Sequence, residues 1–443
     1  MMLTLGIDLG TTKVAAVLYD PDASGAGRAV STEHHAALPA APGHAEQDGE
    51  KMYAAVLRLL AELPPRELGR VEAVGLTGQM HSVILWSGGE LSPAVTWQDK
   101  RASAAGHLDE FRTLSGRPLA DGFGAVTLAE LARQGELERW RYAASPADWL
   151  ATRLTGNPAP VTDPTFAASW GIFDPASGGW DLKAAAALGI PPGLLPPVVA
   201  SGSIVGTTRN VPGIPDGIPV AAPFGDNQAS VVGTAVELDR ELFLTLGTGA
   251  QLSFVISPES AAGWTPPPAV ELRPFLDGKL LAVTAPLCGG RAWAWLGGAV
   301  NNFLTSLGLE SLPEKLLLDR LDALALEVDG ESAPVVAPHF LGERHNPAEF
   351  GSITGITLEN FTLPNLARGL AAGIVRNLGD SFPPEFYRNR ERVVGSGNCV
   401  RFCGSIRREI ERQFDLPLEI RSVREEAAVG AARLAARSVR KAG

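Results

Sequence analysis

Two stretches of this chain set out apolar and small polar residues in the same order. Leu3 to Tyr19 reads as an apolar strand, a turn of Gly and Thr, and a second apolar strand. Leu242 to Ile256 repeats that order around Gly247-Thr248-Gly249. Gly lacks the Cβ that closes much of backbone space, so such a turn can aim several N–H groups at one point. A concave row of N–H groups binds anions, phosphate above all. Two such turns, one near the start of each half, predict two similar domains gripping a polyphosphate between them.

The rest of the chain alternates strands with helices, which indicates an α/β architecture. Helices are expected over 49–63, ending at Pro64-Pro65, and over 227–235. Another, with Trp293 and Trp295, follows Gly289-Gly290. Three more are expected over 361–378, with Thr362 as N-cap, over 402–414, and over the Ala-rich stretch 425–439. Strands are expected at Val71–Thr77, Val83–Trp86, Ile218–Ala222, Val335–His339, Arg392–Gly397 and Leu418–Arg421. The stretch 24–42 reads as loose, with His34 and His35 in solvent or on a strand edge and without a role. The Pro- and Gly-punctuated stretch 102–208 reads as insertions that build a substrate wall. A boundary near Glu241 gives domains of 1–240 and 241–443.

Length and composition narrow the class. The 443 residues hold two or three domains, and 45% hydrophobic with 20% charged residues is an ordinary soluble composition. A net charge of −11 argues against non-specific nucleic-acid binding, which needs a basic face. It leaves room for an anionic ligand held by local N–H groups and a few cations. No signal-peptide pattern and no apolar run of ~20 residues is present, so neither secretion nor a membrane is expected. Three cysteines cannot build a disulfide framework, and a cytoplasmic location is the simplest reading. Cys399 and Cys403 lack the further ligands that zinc spacing requires.

Candidate chemistry gathers at the turns. Asp8 closes the first strand. It could orient a hydrated Mg²⁺, which takes only one or two carboxylates, or cap turn N–H groups. Gly10-Thr11-Thr12-Lys13 beside it favours the phosphate reading, since hydroxyls and Lys join an N–H cradle. Asp226 lies at a strand-to-helix junction, where an N-cap is common and a general base is the alternative. Its place just before the second turn favours the base. Gln79, Met80 and His81 end a strand, and Trp97, Asp99 and Arg101 offer an aromatic plate, a carboxylate and a cation. That mix suits a polyol, but a buried histidine and an exposed ion pair are the plain alternatives. Gly395-Ser396-Gly397-Asn398 is either a tight turn or a close approach to a flat ligand such as adenine.

These residues also carry a resemblance that spans the whole chain. Gly6-Ile-Asp8-Leu-Gly-Thr-Thr12, Glu46-Gln47-Asp48, Gly225-Asp226-Asn-Gln-Ala229, Leu246-Gly-Thr-Gly249 and Gly395-Ser-Gly-Asn398 resemble, in order, motifs of the FGGY carbohydrate kinases. That family belongs to the actin–hexokinase–Hsp70 superfamily. The resemblance implies two actin-like (ribonuclease H-like) domains flanking a deep cleft, the first binding sugar and the second nucleotide. It implies ATP and Mg²⁺, with Asp8 at the metal and Asp226 taking the proton of the sugar's terminal primary hydroxyl. Thr11, Thr12, Lys13, Gly247, Thr248, Gly249, Gly290, Gly395, Gly397 and Asn398 would hold the nucleotide. Gln79, Met80, His81, Trp97, Asp99, Arg101, Trp170 and Asp226 would hold the sugar. The partners implied are these small molecules alone, with the chain a monomer or homodimer.

Within the family, Thr77–His81, Val95–Asp99, Ala168–Gly171, Leu341–His345 and Arg392–Gly397 are most similar to kinases that convert sedoheptulose to its 7-phosphate. Xylulose kinases share the Gln-Met-His element, so xylulose is the alternative acceptor. A non-catalytic sugar sensor of the same fold is the third reading. Ser396, where many relatives carry a Gly, adds to the similarity to the sedoheptulose kinases. Two departures stand out: Asn346–Gly351 stands where the family's glycine-rich signature is expected, and the chain is short, so regulatory or oligomer-forming insertions are expected to be missing.

Overall fold

The computed structural model describes residues 3–21, 27–343, 346, 348–421 and 423–442. Parts of the Leu341–His345 and Asn346–Gly351 segments, namely Arg344, His345 and Pro347, lie outside the described residues. The chain divides into two compact units. The first comprises residues 1–234, 274–277 and 423–443, and the second 235–273 and 278–422.

Unit 1 is built on β1 (Leu3–Leu9), β2 (Lys13–Tyr19), β3 (Arg28–Glu33), β4 (Val71–Gly78), β5 (Ile204–Thr207) and β6 (Pro219–Ala221), in the order β5-β6-β4-β1-β2-β3. Strands β1, β4 and β6 are parallel, β2 runs antiparallel to β1, and β3 antiparallel to β2. The alternation of β1 and β2 explains the layers. Leu5, Ile7, Val14 and Ala16 point to one face and bury against Met52, Val56 and Leu59 of α1 (Gly49–Glu62). Asp48 caps that helix by accepting from Lys51 N at 3.1 Å. The opposite face, with Ala15 and Val17, packs on Ala428 and Val429.

β3 corrects the expectation of a loose stretch over 24–42. Its side chains are half exposed and only two are apolar, so its hydrophobic signal is weak. It pairs fully with β2 nonetheless.

Three helices of unit 1 bear on the site: α1, α2 (Pro164–Ser169) and α3 (Asp226–Thr234). Unit 2 adds β7 (Glu241–Leu246), β8 (Ala250–Ile256), β9 (Val270–Pro274), β10 (Leu280–Thr284), β11 (Arg392–Ser396) and β12 (Leu418–Ile420), ordered β9-β10-β8-β7-β11-β12. An antiparallel β7–β8 hairpin lies beside parallel β11 and β12, as the β1–β2 hairpin lies beside β4 and β6. The helices α4 (Gly290–Ser306), α5 (Leu363–Gly379), α6 (Asn398–Phe402) and α7 (Gly404–Phe414) share its core, in which Leu244, Phe254, Trp293, Ile374 and Ile406 are buried. Thr362 caps α5 by accepting from Asn365 N. The helix expected over 402–414 is interrupted at Cys403, which is extended. Asp322 explains the break: its carboxylate accepts from Gly404 N and Ser405 N, both at 2.8 Å, and so caps a new helix there. The last helix, α8 (Glu426–Ala442), belongs to unit 1.

One buried group gives this fold a pH dependence. Asp148 is fully enclosed, and burial pushes its pKa up to about 8, against hydrogen bonds from Ser145 and Thr162 that lower it. Its folded value lies above the unfolded value, so its stabilising contribution is complete below ~4 and is lost as pH rises to about 8. The expected slope from this one group is up to about 1.4 kcal/mol per pH unit. Asp148→Asn keeps the oxygen that accepts from Ser145 and cannot ionise. Urea midpoints measured from pH 5 to 8 should therefore fall less steeply for the variant, and equal slopes would remove Asp148 as the cause.

Candidate active site

The carboxyl ends of three parallel strands meet in unit 1. Register pairs Leu9 of β1 with Gly78 of β4, and Gly78 with Gly225 of the short strand Phe224–Gly225. The chain therefore delivers Gly10, Gln79 and Asp226 side by side along one sheet edge. Open α/β sheets place their ligands at that edge.

Asp8 lies one step inside it, in register with Thr77. Asp8 Oδ1 and Thr77 Oγ1 are both buried with no hydrogen-bond partner. Burial, then the Asp226 and Glu425 carboxylates, push the Asp8 pKa up to about 7, against a smaller opposing effect of Lys13. A buried carboxylate that has an orphan oxygen and faces other carboxylates fits a divalent cation, which would satisfy the oxygen and offset the repulsion. Among the described residues, no three His, Cys, Asp or Glu gather as a metal-ligand set.

The first turn is fastened from outside by residues distant in sequence. Thr11 O accepts from Gln47 Nε2 at 2.6 Å, and Thr11 Oγ1 accepts from Trp97 Nε1 at 2.9 Å. Gln47 Oε1 accepts from Gln79 Nε2 at 2.8 Å. A continuous chain of bonds thus runs from Gln79 through Gln47 and Thr11 to Trp97, a residue 46% exposed. His34 corrects the expectation of a solvent histidine without a role. It is buried, Ala36 N donates to its Nδ1 at 3.0 Å, and so the proton sits on Nε2, 3.3 Å from Gly10 O. Burial lowers its pKa, which favours this neutral form. The pattern of the His34-His35 doublet held no signal for this role.

Other predicted residues stand in different surroundings. Lys13 Nζ donates to both oxygens of Glu425, at 2.8 and 2.7 Å, a pair that spans nearly the whole sequence. Asp99 and Arg101 form a buried rather than exposed pair, with Arg101 Nε and Nη2 donating to opposite Asp99 oxygens at 2.8 and 2.9 Å. Asp99 also accepts from Arg101 N and Ala45 N, and Arg101 Nη2 reaches Glu46 at 2.7 Å. Asp99 thus accepts four hydrogen bonds, three from Arg101 and one from Ala45. Trp170 is buried at 2% exposure, its ring filling the space beside Gly124. Met80 packs under Gly225, where its sulfur would lie 2.9 Å from an added Cβ. His81 donates from its backbone N to Ser169 Oγ at 2.9 Å and stacks on Phe123 with 4.8 Å between centroids. Asp226 heads α3, and its Oδ1 accepts from Asn227 N at 2.7 Å.

Unit 2 brings three glycine segments together. The carbonyls of Gly247 and Thr248 accept from Gly290 N at 2.8 Å and Arg291 N at 3.1 Å, at the start of α4. A trans peptide points its N–H opposite its C=O, so the N–H groups of Thr248 and Gly249 face away from that helix. A Cβ on Gly290 would meet Gly247 O at 2.5 Å and Cys399 Sγ at 2.8 Å. Gly397 has φ +90° and would set a Cβ 2.3 Å from Leu246 O, so the chain itself demands glycine there. A bulky residue at 397 would therefore disturb β7 as well as any ligand. Gly395 lies within β11, packed against Val400 and Leu418, and Asn398 begins α6.

A family model described as the N-terminal domain of the FGGY family of carbohydrate kinases matches residues 3–233. The sedoheptulokinase of Homo sapiens is 32% identical over 97% of this chain and 96% of its own length. This chain belongs to the FGGY family of carbohydrate kinases. The sedoheptulokinase of Mus musculus is 31% identical over 94% of both chains. A solved xylulose kinase from Rhodospirillum rubrum shares 22% identity, with a TM-score of 0.82 over 98% of this FGGY kinase and 89% of its own chain. The FGGY kinase thus has the two-domain, actin-like α/β architecture, and its two sheets are the repeated halves of that fold. Among its described residues no helix is long and apolar enough to cross a membrane.

Proposed function

We propose that this kinase phosphorylates the terminal primary hydroxyl of a ketose, sedoheptulose first, with ATP and Mg²⁺ in the cytoplasm. The observation that carries the reading is the shared sheet edge on which Gly10, Gln79 and Asp226 follow one another, with Asp8 one step behind. Asp226 accepts the hydroxyl proton as the oxygen attacks the γ-phosphorus of ATP, the bond from that phosphorus to the bridging oxygen breaks, and ADP leaves with the bridging oxygen. Its fixed bond to Asn227 N holds the carboxylate in one orientation. Within unit 1, Thr11 and Thr12 offer N–H and hydroxyl groups to phosphate; within unit 2, Thr248 and Gly249 offer groups of the same kind. Asp8 would hold a Mg²⁺ ion, whose chemistry when bound would be to neutralise charge on the phosphates. Phosphoryl transfer depends mainly on positioning and electrostatics, and these groups provide both.

His81 and the exposed Trp97 form the sugar wall in this reading, supported by the buried Gln79, whose amide is bonded to Gln47 and Ser82, and by the buried Asp99–Arg101–Glu46 group. The similarity to sedoheptulokinases over nearly the full length of both chains supports the longer ketose. A site that hydrogen-bonds extra hydroxyls leaves its own polar groups unpaired when a shorter sugar binds, which can cost more than the ~1–3 kcal/mol of a missing methylene. ADP release measured with sedoheptulose, xylulose, ribulose, fructose and glycerol should give its highest kcat/KM with sedoheptulose. A higher value with xylulose would reassign the substrate and keep the kinase. ADP release without any dependence on sugar would remove the sugar-kinase reading.

A further inference from the structure

The geometry points to α2 as a bracket that positions the base and the sugar wall together, with Thr165 and Ser169 as its two positioning residues. The inference rests on the reading of Asp226 as base and His81 as part of the sugar site. Asp163 precedes the helix and anchors it. Its Oδ1 accepts from Thr165 N and Phe166 N, each at 3.0 Å, and from Thr165 Oγ1 at 2.6 Å. Its Oδ2 accepts from Ser201 Oγ at 2.5 Å. The Thr165 hydroxyl spends its one proton on Asp163, so its oxygen is fixed as an acceptor. It accepts from Gly225 N at 2.8 Å, and Gly225 is the residue before Asp226.

The other end of the helix does the same for the sugar wall. Ser169 Oγ donates to Phe166 O at 2.7 Å and accepts from His81 N at 2.9 Å. Ser169 O accepts from His81 Nδ1 at 2.6 Å, which puts the ring proton on Nδ1 and leaves Nε2 unprotonated in the neutral ring. His81 has φ +69°, a region that residues with a Cβ seldom take, so two bonds from one serine hold it there. Asp163 and Thr165 are at 0% exposure and Ser169 at 4%, and water cannot replace these bonds without opening the core. Six helical residues span only about 9 Å, so the two ends move as one body. Neither Thr165 nor Ser169 touches the reacting atoms in this scheme, and both act through a neighbour.

The two ends predict different kinetic signatures. Thr165→Val keeps the shape and removes the hydroxyl. It should lower kcat by ~10–100-fold, the scale of a misplaced catalytic group, with little change in the KM for sugar. Thr165→Ser should restore kcat. Ser169→Ala should instead raise the KM for sugar more than it lowers kcat. Hydrogen exchange gives a readout independent of activity: Thr165→Val should speed exchange in the peptide 224–228, and Ser169→Ala in 78–82. If Thr165→Val fails to fold, Asp163→Asn weakens the acceptor of the same hydroxyl and should move kcat and the 224–228 exchange in the same direction. Loss of thermal stability with kcat, KM and both exchange patterns unchanged would reduce α2 to an ordinary packed helix and overturn the bracket. Faster exchange at 224–228 with unchanged kcat would equally overturn it. A wild-type protein that phosphorylates none of the sugars would end the kinase reading separately, and the exchange data would still decide whether α2 holds the two segments.

Discussion

Asp226→Asn lowers kcat by ~10²–10⁴-fold and leaves ATP affinity nearly unchanged, the expected cost of removing a general base while keeping its shape. The amide retains an oxygen to accept from Asn227 N, which holds Asp226 Oδ1 at 2.7 Å, so the start of α3 should stay in place. The variant loses the capacity to take a proton and little else. Residual turnover would come from positioning and charge, which in phosphoryl transfer supply most of the acceleration. The measurement is single-turnover phosphorylation of sugar beside calorimetric titration with ATP. A rate like that of the wild type would remove Asp226 from the chemistry, and lost ATP binding would assign it to nucleotide structure instead.

The second large effect is expected at Gly430, where α8 meets the floor of unit 1. A Cβ on Gly430 would lie 1.8 Å from Ala229 O, and one on Gly233 would lie 1.9 Å from Glu426 O. Gly6 and Gly75, on β1 and β4, stand equally close to the carbonyls of Ala428 and Ala431, at 1.9 Å each. Backbone touches backbone at all four places, so no flexible side chain can yield. Gly430→Val must push α8 off α3, and overpacking of this kind costs ~1–3 kcal/mol or more. Because α3 begins at Asp226, kcat should fall along with the thermal midpoint. Gly298→Ala is the matched control. It is an exposed position of α4 with nothing within 4 Å of the new Cβ, and replacing a helical Gly there should gain up to about 1 kcal/mol. Equal midpoints for the two variants would mean that the glycine contacts carry no weight.

Much of this molecule is legible in its sequence, and the rest is hidden for definable reasons. The turns at Gly10–Thr12 and Gly247–Gly249 announce themselves because glycine and threonine interrupt strongly apolar strands. Helix α1 shows its Pro64-Pro65 stop, and the observed bounds of Gly49–Glu62 lie within one residue of the expected 49–63. β3 is harder to see, since an outer strand with half-exposed residues has no buried face to impose alternation. The fastening of the first turn depends on His34, Gln47 and Trp97, which reach it from three separate segments. No local periodicity encodes such meetings. Asp99 illustrates a different limit: a carboxylate beside a cation at i+2 reads the same whether it faces a ligand or a buried arginine. The Lys13–Glu425 pair joins the first hairpin to the start of the final helix, and only the fold reveals it.

The order in which the chain is made differs from the order in which its units can be finished. Translation reaches Thr234 early, but the helix that covers Gly6 and Gly75 is not synthesised until after Val423. At ~5–20 residues per second, that interval lasts roughly 10–40 s. During it the second unit can close on residues already in hand, whereas the first waits with one face of its sheet bare. The unit that starts first is therefore the one that nascent-chain chaperones would have to guard, and shortening residues 426–442 would leave it unfinished while sparing the second.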